Sequence, residues 1–91
     1  LLVPKTELDY FADLPEDYMN ALMIVSQKIA KALDKATWCK RTQVLIAGRD
    51  VPHTHIHLIP SESIDDVRTS NTLTLSDDEM KEIQEQIVSY L

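Results

Sequence analysis

The stretch Val51-Pro52-His53-Thr54-His55-Ile56-His57-Leu58-Ile59-Pro60 holds all three histidines of the chain. They occupy every second position, and Thr54, Ile56 and Leu58 alternate with them. Successive side chains of a β-strand point to opposite faces, so this spacing predicts three imidazoles on one face. The other face is predicted to pack against a core. Packing does not require a row of histidines, so the pattern indicates a chemical role.

The segment before the histidines predicts a second strand. Residues 40–47 contain the β-forming run Val44-Leu45-Ile46. Gly48, the only glycine of the chain, opens a tight Gly48-Arg49-Asp50 connection to the histidine strand. So short a connection leaves no room for a crossover helix, and the two strands are therefore predicted to pair as an antiparallel hairpin.

A long helix is predicted upstream of this hairpin. Apolar residues recur at helical spacing over residues 14–36. Asp13 is the predicted N-cap, and Glu16 stands where it would complete a capping box. Leu1-Leu2-Val3 is predicted to form a short buried strand that ends at Pro4.

A second helix is predicted near the end of the chain. Ser76 and Glu79 match a Ser-x-x-Glu capping box, and Met80, Ile83, Ile87 and Leu91 form an apolar stripe. Residues 61–71 are polar and are predicted to form a loop. The order strand, helix, hairpin, helix predicts a single domain over residues 1–91, of α+β class rather than parallel α/β.

Composition narrows the possible partners. The chain has 91 residues and a formal net charge of −6, which argues against a broad basic face for nucleic acid. No apolar run approaches the length needed to span a membrane. Cys39 is the only cysteine, so an intrachain disulfide is excluded, and a cytoplasmic location is the simplest expectation.

The three histidines have three possible roles. Structural or surface histidines are common singly, but three on one face leave polar rings that need partners. A zinc site is a second possibility, but positions four apart on a strand are separated by about 13 Å, which is too far for one ion. Ligands would then have to come from elsewhere, so no metal is predicted.

Nucleophilic catalysis is the favoured role. Neutral imidazole can form a covalent intermediate and divide one displacement into two easier steps. The turn Gly48-Arg49-Asp50-Val51 can aim backbone N–H groups at phosphate oxygens, and Arg49 can add a charge-assisted contact. Together these features indicate phosphoryl or nucleotidyl transfer.

The segment from Gly48 to Pro60 resembles the signature of the histidine triad (HIT) family, His-φ-His-φ-His-φ-φ, in which φ is hydrophobic. Leu1-Leu2-Val3-Pro4-Lys5 is similar to a family strand that ends in Val-Ile-Pro-Lys. The resemblance covers essentially the whole chain but about the C-terminal two-thirds of a usual HIT domain. We therefore expect an N-terminally incomplete domain that lacks strands of the family's antiparallel sheet.

The resemblance implies a nucleotide-binding hydrolase or transferase, usually a homodimer, that needs no cofactor. Such enzymes act on phosphorus–nitrogen or phosphoanhydride bonds of nucleoside 5′-phosphoramidates and related adenosine 5′-phosphoryl compounds. By resemblance, His55 is the nucleophile that forms a nucleotidyl-histidine, His57 contacts the phosphate and leaving group, and His53 orients the network. Gly48, Arg49, Asp50 and Val51 are the expected substrate-binding residues. A dinucleoside polyphosphate hydrolase and a catalytically silent nucleotide-binding module are the alternatives.

Two positions depart from the family pattern. Asp50 stands where many members have a hydroxyl residue, and its carboxylate would repel a bound anion unless it turns away or pairs with Arg49. Glu7 stands where some members have a histidine that joins a structural zinc. The resemblance therefore implies no zinc in this chain.

Overall fold

The computed structural model describes residues 1–68 and 72–91. Helix α1 spans Glu16–Thr37, strand β1 Arg41–Leu45, strand β2 His57–Ser61, and helix α2 Asp77–Ser89. Short 3-10 turns cover Phe11–Asp13 and Ile64–Val67. Two helices with an antiparallel pair of strands confirm the predicted α+β class. Of the loop predicted over residues 61–71, positions 69–71 lie outside the described residues.

The predicted hairpin is present, but its connection is not tight. β1 and β2 pair antiparallel from Arg41 opposite Ser61 to Leu45 opposite His57. The chain then leaves the ladder, so residues 46–56 form the connection, and the first two histidines precede β2. The predicted Gly48-Arg49-Asp50 turn was wrong because residues 53–56 bond to the N-terminal segment instead of to β1.

Helix α1 begins later than predicted. Pro15 is its N-cap, without a side-chain cap bond, and its carbonyl oxygen accepts the N–H of Met19 at 3.0 Å. Proline disfavours the helical conformation of the residue before it, and Leu14 is accordingly extended, with ψ of 136°. Asp13 belongs to the preceding 3-10 turn. The capping box predicted from Asp13 was therefore wrong.

The N-terminal residues form one bridge rather than a buried strand. Leu2 and Ile56 pair antiparallel, each donating its N–H to the other's carbonyl oxygen at 2.9 Å. Leu1 and Val3 are 81% and 50% exposed, so the predicted burial of this segment was wrong. The bridge nevertheless places the first residues of the chain beside the histidine stretch.

The core lies between α1 and the sheet. Its buried apolar residues are Leu22, Ala32, Leu33, Ala36 and Ile56. Helix α2 packs on α1, and Lys35 Nζ lies 5.8 Å from the centre of the Tyr90 ring. The capping box predicted at Ser76 and Glu79 is confirmed. No helix among residues 1–68 and 72–91 is long and apolar enough to cross a bilayer.

Candidate active site

The histidine stretch alternates in burial although most of it precedes β2. Thr54 and Ile56 are 2% and 1% exposed, whereas His53, His55 and His57 are half-buried. The predicted core face is therefore confirmed for Thr54 and Ile56, whereas Leu58 is only half-buried. One face is anchored in the core, and the other leaves three imidazoles partly accessible.

The N-terminal segment holds the backbone of this stretch in place. Thr54 donates its N–H to the carbonyl oxygen of Leu8 at 2.6 Å, and its hydroxyl to that of Asp9 at 2.9 Å. The bridge between Leu2 and Ile56 adds two further bonds. The histidines are thus supported by backbone groups that lie far away in the sequence.

His53 is tied to the same segment through its side chain. Its Nε2 lies 2.9 Å from the carbonyl oxygen of Pro4. A carbonyl oxygen only accepts, so the Nε2 of His53 carries the proton that is donated. This bond joins the first histidine to Pro4, which lies two residues after Leu2, the bridge partner of Ile56.

His55 is oriented by the backbone of His53. Its Nδ1 lies 2.8 Å from the carbonyl oxygen of His53 and must donate to it. In neutral imidazole the other ring nitrogen then has an unprotonated lone pair. The Nε2 of His55 is therefore the nitrogen with nucleophilic character.

His57 lies beside His55 at the start of β2. The two ring centres are 5.1 Å apart, with planes inclined at 71°. Burial lowers the pKa of His57 from its ordinary value of 6.5, and the charge of His55 lowers it further. His57 is consequently neutral near pH 7 and can both donate and accept a hydrogen bond.

The four predicted substrate-binding residues precede the histidines in the connection. Gly48 has a positive φ of 68°. The next three residues, Arg49, Asp50 and Val51, are exposed. The carbonyl oxygen of Val51 accepts the N–H of His53 at 2.8 Å, which joins this connection to the first histidine. Among the described residues, the ion pairs are Lys40–Glu62 and Arg68–Asp65, so Arg49 is not paired with Asp50.

Two surface depressions are present, and neither is lined by a histidine. One, of about 390 Å³, is lined by Lys40, Arg41 and Gln43 together with residues 61–64. The other, of about 370 Å³, lies between residues 2–6 and α1. Within residues 1–68 and 72–91, no group of three or more His, Cys, Asp or Glu side chains is arranged to hold a metal ion.

Sequence reasoning missed the groups that orient the histidines. The carbonyl groups of Pro4 and Leu8 and the hydroxyl of Thr54 have no recognisable motif. One local signal was available, since alternation sends Thr54 to the core face, where a hydroxyl requires a hydrogen-bond partner. The partner itself, Asp9, is 45 residues away and could not be read from spacing.

Comparison with protein families matches residues 1–64 to the HIT domain. The chain is 26% identical over 92 residues to the bifunctional bis(5′-adenosyl)-triphosphatase/adenylylsulfatase of Arabidopsis thaliana, covering 96% of this chain and 51% of that protein. It is 33% identical over 70 residues to an uncharacterized HIT-like protein of Saccharolobus solfataricus, covering 71% of this chain and 50% of the relative. It is 31% identical over 61 residues to the adenosine 5′-monophosphoramidase of Saccharomyces cerevisiae, covering 66% of this chain and 39% of the relative.

The chain thus spans about half of the first two relatives and less of the third. The family match includes the whole histidine stretch and the N-terminal segment that supports it. It ends before α2, which begins at Asp77. Because the HIT domain matches well over half of its residues, this chain belongs to the HIT domain family.

Proposed function

We propose that this chain acts in nucleotide hydrolysis, cleaving nucleoside 5′-phosphoramidates or related adenosine 5′-phosphoryl compounds through a nucleotidyl-histidine at His55. The proposal is supported by family membership and by the name of the yeast relative, an adenosine 5′-monophosphoramidase. The tautomer of His55 provides the chemical basis for this reaction.

The observation that carries the proposal is the bond from His55 Nδ1 to the His53 carbonyl oxygen at 2.8 Å. It leaves the Nε2 lone pair available for attack and keeps the ring from rotating away. When Nε2 bonds to phosphorus, the ring becomes positively charged. The His53 carbonyl oxygen then accepts from a more acidic N–H, which strengthens the bond as charge develops.

The reaction proceeds in two displacements. First, the Nε2 lone pair of His55 bonds to the α-phosphorus, the bond from phosphorus to the leaving nitrogen breaks, and that nitrogen takes up a proton and departs as an amine. Second, the oxygen of a water molecule bonds to phosphorus and loses a proton, while the bond to Nε2 breaks and returns its electron pair to the ring. One water is consumed for each nucleoside monophosphate and amine released.

His57 and His53 have different supporting roles in this proposal. His57 is half-buried and neutral near pH 7, so it can contact the phosphate and exchange a proton with the leaving group. His53 orients His55, because its carbonyl oxygen accepts the Nδ1 proton while its own ring is held by Pro4. Both roles concern positioning and proton transfer rather than attack.

Residues 48–51 are proposed to contact the phosphate. None of the backbone hydrogen bonds of the described residues uses the N–H groups of Arg49, Asp50 or Val51, so these donors are available to an anion. Arg49 is exposed and supplies a positive charge, whereas the neighbouring carboxylate of Asp50 opposes it. We therefore assign binding to the backbone and to Arg49, with Asp50 turned away from the anion.

A dinucleoside polyphosphate is the second candidate substrate. Its support is the name of the Arabidopsis relative, a bis(5′-adenosyl)-triphosphatase, together with the exposed Arg49 in the connection that leads to the histidines. A leaving group with several phosphates would bring additional negative charge to this arginine. The chemistry at His55 would be the same, and only the leaving group would differ.

The test is intact-protein mass spectrometry after brief incubation with adenosine 5′-phosphoramidate, quenched without acid. We expect a transient mass increase of one adenylyl group that maps to His55, together with release of AMP. His55→Ala should abolish both while nucleotide binding survives. Gln84→Ala, an exposed polar change on α2, serves as the control and should behave like the unaltered chain.

Two outcomes would contradict the proposal. An adduct on another residue would refute His55 as the nucleophile. Neither adduct nor AMP from a chain shown by circular dichroism to be folded would refute hydrolysis. If equilibrium dialysis then still detected bound AMP, the chain would be a catalytically silent nucleotide-binding module.

A further inference from the structure

We infer that Thr54 is a positioning residue for His55, acting through the peptide unit that joins His53 to Thr54. This inference rests on the proposed function for its meaning in catalysis, but its geometry stands independently. Thr54 lies between two of the histidines, and its side chain points into the core, where it is 2% exposed. It therefore acts from behind the site without contact with a substrate.

The key relationship lies within one planar peptide unit. Its N–H, from Thr54, donates to the Leu8 carbonyl oxygen at 2.6 Å. Its C=O, from His53, accepts the Nδ1 proton of His55 at 2.8 Å. In a trans peptide these two groups point in opposite directions and cannot rotate independently. Anchoring the N–H to Leu8 therefore fixes the direction of the carbonyl that sets the tautomer of His55.

The Thr54 hydroxyl strengthens this anchor. It donates to the carbonyl oxygen of Asp9 at 2.9 Å, the residue directly after Leu8. The two bonds hold Thr54 to adjacent peptide groups of the N-terminal segment and prevent a twist of the peptide unit. Valine would fill nearly the same space but could not make the second bond, so packing alone does not account for threonine here.

The peptide unit on the other side of His55 is also anchored. The N–H of Ile56 donates to the Leu2 carbonyl oxygen at 2.9 Å, and Ile56 is 1% exposed. His55 is thus held between two fixed peptide units, one through Leu8 and Asp9 and one through Leu2. Only the peptide unit anchored at Thr54 contains the carbonyl group, that of His53, which accepts the hydrogen bond from the His55 ring.

The test compares Thr54→Val, which removes the hydroxyl, with Thr54→Ser, which keeps it. The matched control is Thr42→Val in β1. It removes a hydroxyl that donates to Asp34 Oδ1 at 2.7 Å. Nitrogen-15 NMR of the His55 ring reports which nitrogen carries the proton. We expect the single Nδ1–H tautomer in the unaltered chain, Thr54→Ser and Thr42→Val, and a mixture of tautomers in Thr54→Val.

Kinetics give the second readout. With adenosine 5′-phosphoramidate, we expect Thr54→Val to lower kcat by about three- to tenfold, the range expected from losing one buried hydrogen bond, while KM stays within about twofold. Thr54→Ser should restore kcat. An unchanged tautomer in Thr54→Val, or an equal change in Thr42→Val, would overturn the inference.

If Thr54→Val does not fold, the unaltered chain provides the test through NMR scalar coupling across the hydrogen bond from the Thr54 N–H to the Leu8 carbonyl. Detection of this coupling together with a single His55 tautomer would support the inference. Absence of the coupling would overturn it. If the unaltered chain has no turnover, the proposed function fails. The tautomer comparison then tests the positioning by itself.

Discussion

The Nε2 of His53 lies 2.9 Å from the carbonyl oxygen of Pro4, which is 49 residues earlier in the chain. This bond links the first histidine to the segment that also anchors Thr54 and Ile56. It therefore contributes both to stability and to the placement of the His53 carbonyl that orients His55.

We expect His53→Ala to lower the free energy of unfolding by about 1–2 kcal/mol, because the buried Pro4 loses the donor for its carbonyl. His53→Gln should lose less, since its amide nitrogen can still donate. Urea unfolding at pH 7.5 measures both. Equal losses in the two variants would show that the bond to Pro4 contributes little.

The lowered pKa of His57 predicts a pH dependence of stability. Burial is the main cause, and the charge of His55 adds to it. The unfolded chain therefore binds the proton more readily than the folded chain, so stability rises with pH. The contribution of His57 is complete above its ordinary pKa of 6.5 and is lost as the pH falls toward the lowered value.

Urea midpoints at pH 7.5 and 5.5 test this dependence. We expect the unaltered chain to be less stable at the lower pH, and His57→Gln to show a smaller difference because glutamine does not titrate. Hydrogen bonds to Ser76 lower the pKa of Glu79 from its ordinary value of 4.5, so the contribution of Glu79 to stability is lost only below the pH range of this test. An equal change of the urea midpoint between the two pH values in both proteins would contradict the assignment to His57.

Gly48 permits a backbone conformation that other residues rarely adopt. Its φ is 68°, and a Cβ there would meet no atom within 4 Å. The cost of a substitution is therefore conformational rather than steric. We expect Gly48→Ala to destabilise the chain by about 1 kcal/mol and Gly48→Asn by less, because asparagine adopts this region more readily.

Thermal unfolding of the two Gly48 variants measures this difference. Since residues 48–51 are the proposed phosphate contacts, Gly48→Ala should also raise KM more than it lowers kcat. A stability identical to that of the unaltered chain would show that the connection rearranges freely around this position.

The extent of sequence-based prediction follows the range of the interactions. The Ser76 capping box depends on nearby residues and was predicted correctly. The pairing of β1 with β2 was also predicted correctly, although the tight turn from which it was inferred was wrong. The start of α1 was misplaced because the restriction that Pro15 imposes on Leu14 outweighed the capping pattern at Asp13. Local competition of this kind can be recognised when the proline rule is applied first.

The histidine site shows where local patterns are insufficient. Alternation correctly separated Thr54 and Ile56 from the imidazoles. The long connection before β2 was missed because the histidine stretch bonds to Leu2 and Pro4, and no local pattern encodes those bonds. Likewise, the tautomer of His55 follows from a backbone carbonyl, which carries no sequence signal.

The homodimer that the family resemblance implies is a further proposal, and we place its interface on the outer edge of β1. Within the described residues β1 has β2 as its one neighbour, so its other edge has unpaired backbone groups. Val44 is 52% exposed on this strand. A second copy that pairs along β1 would satisfy the backbone groups and cover Val44.

We expect the unaltered chain to sediment as a dimer at micromolar concentration and Val44→Lys to weaken association at least about tenfold, because a lysine on an edge strand opposes pairing. Val88→Lys is the matched control, since Val88 is 60% exposed on α2. Analytical ultracentrifugation measures the dimer fraction of all three. A monomeric unaltered chain would refute the homodimer, whereas equal dissociation in both variants would place the interface elsewhere or reflect added charge alone. Loss confined to Val44→Lys would assign the interface to β1.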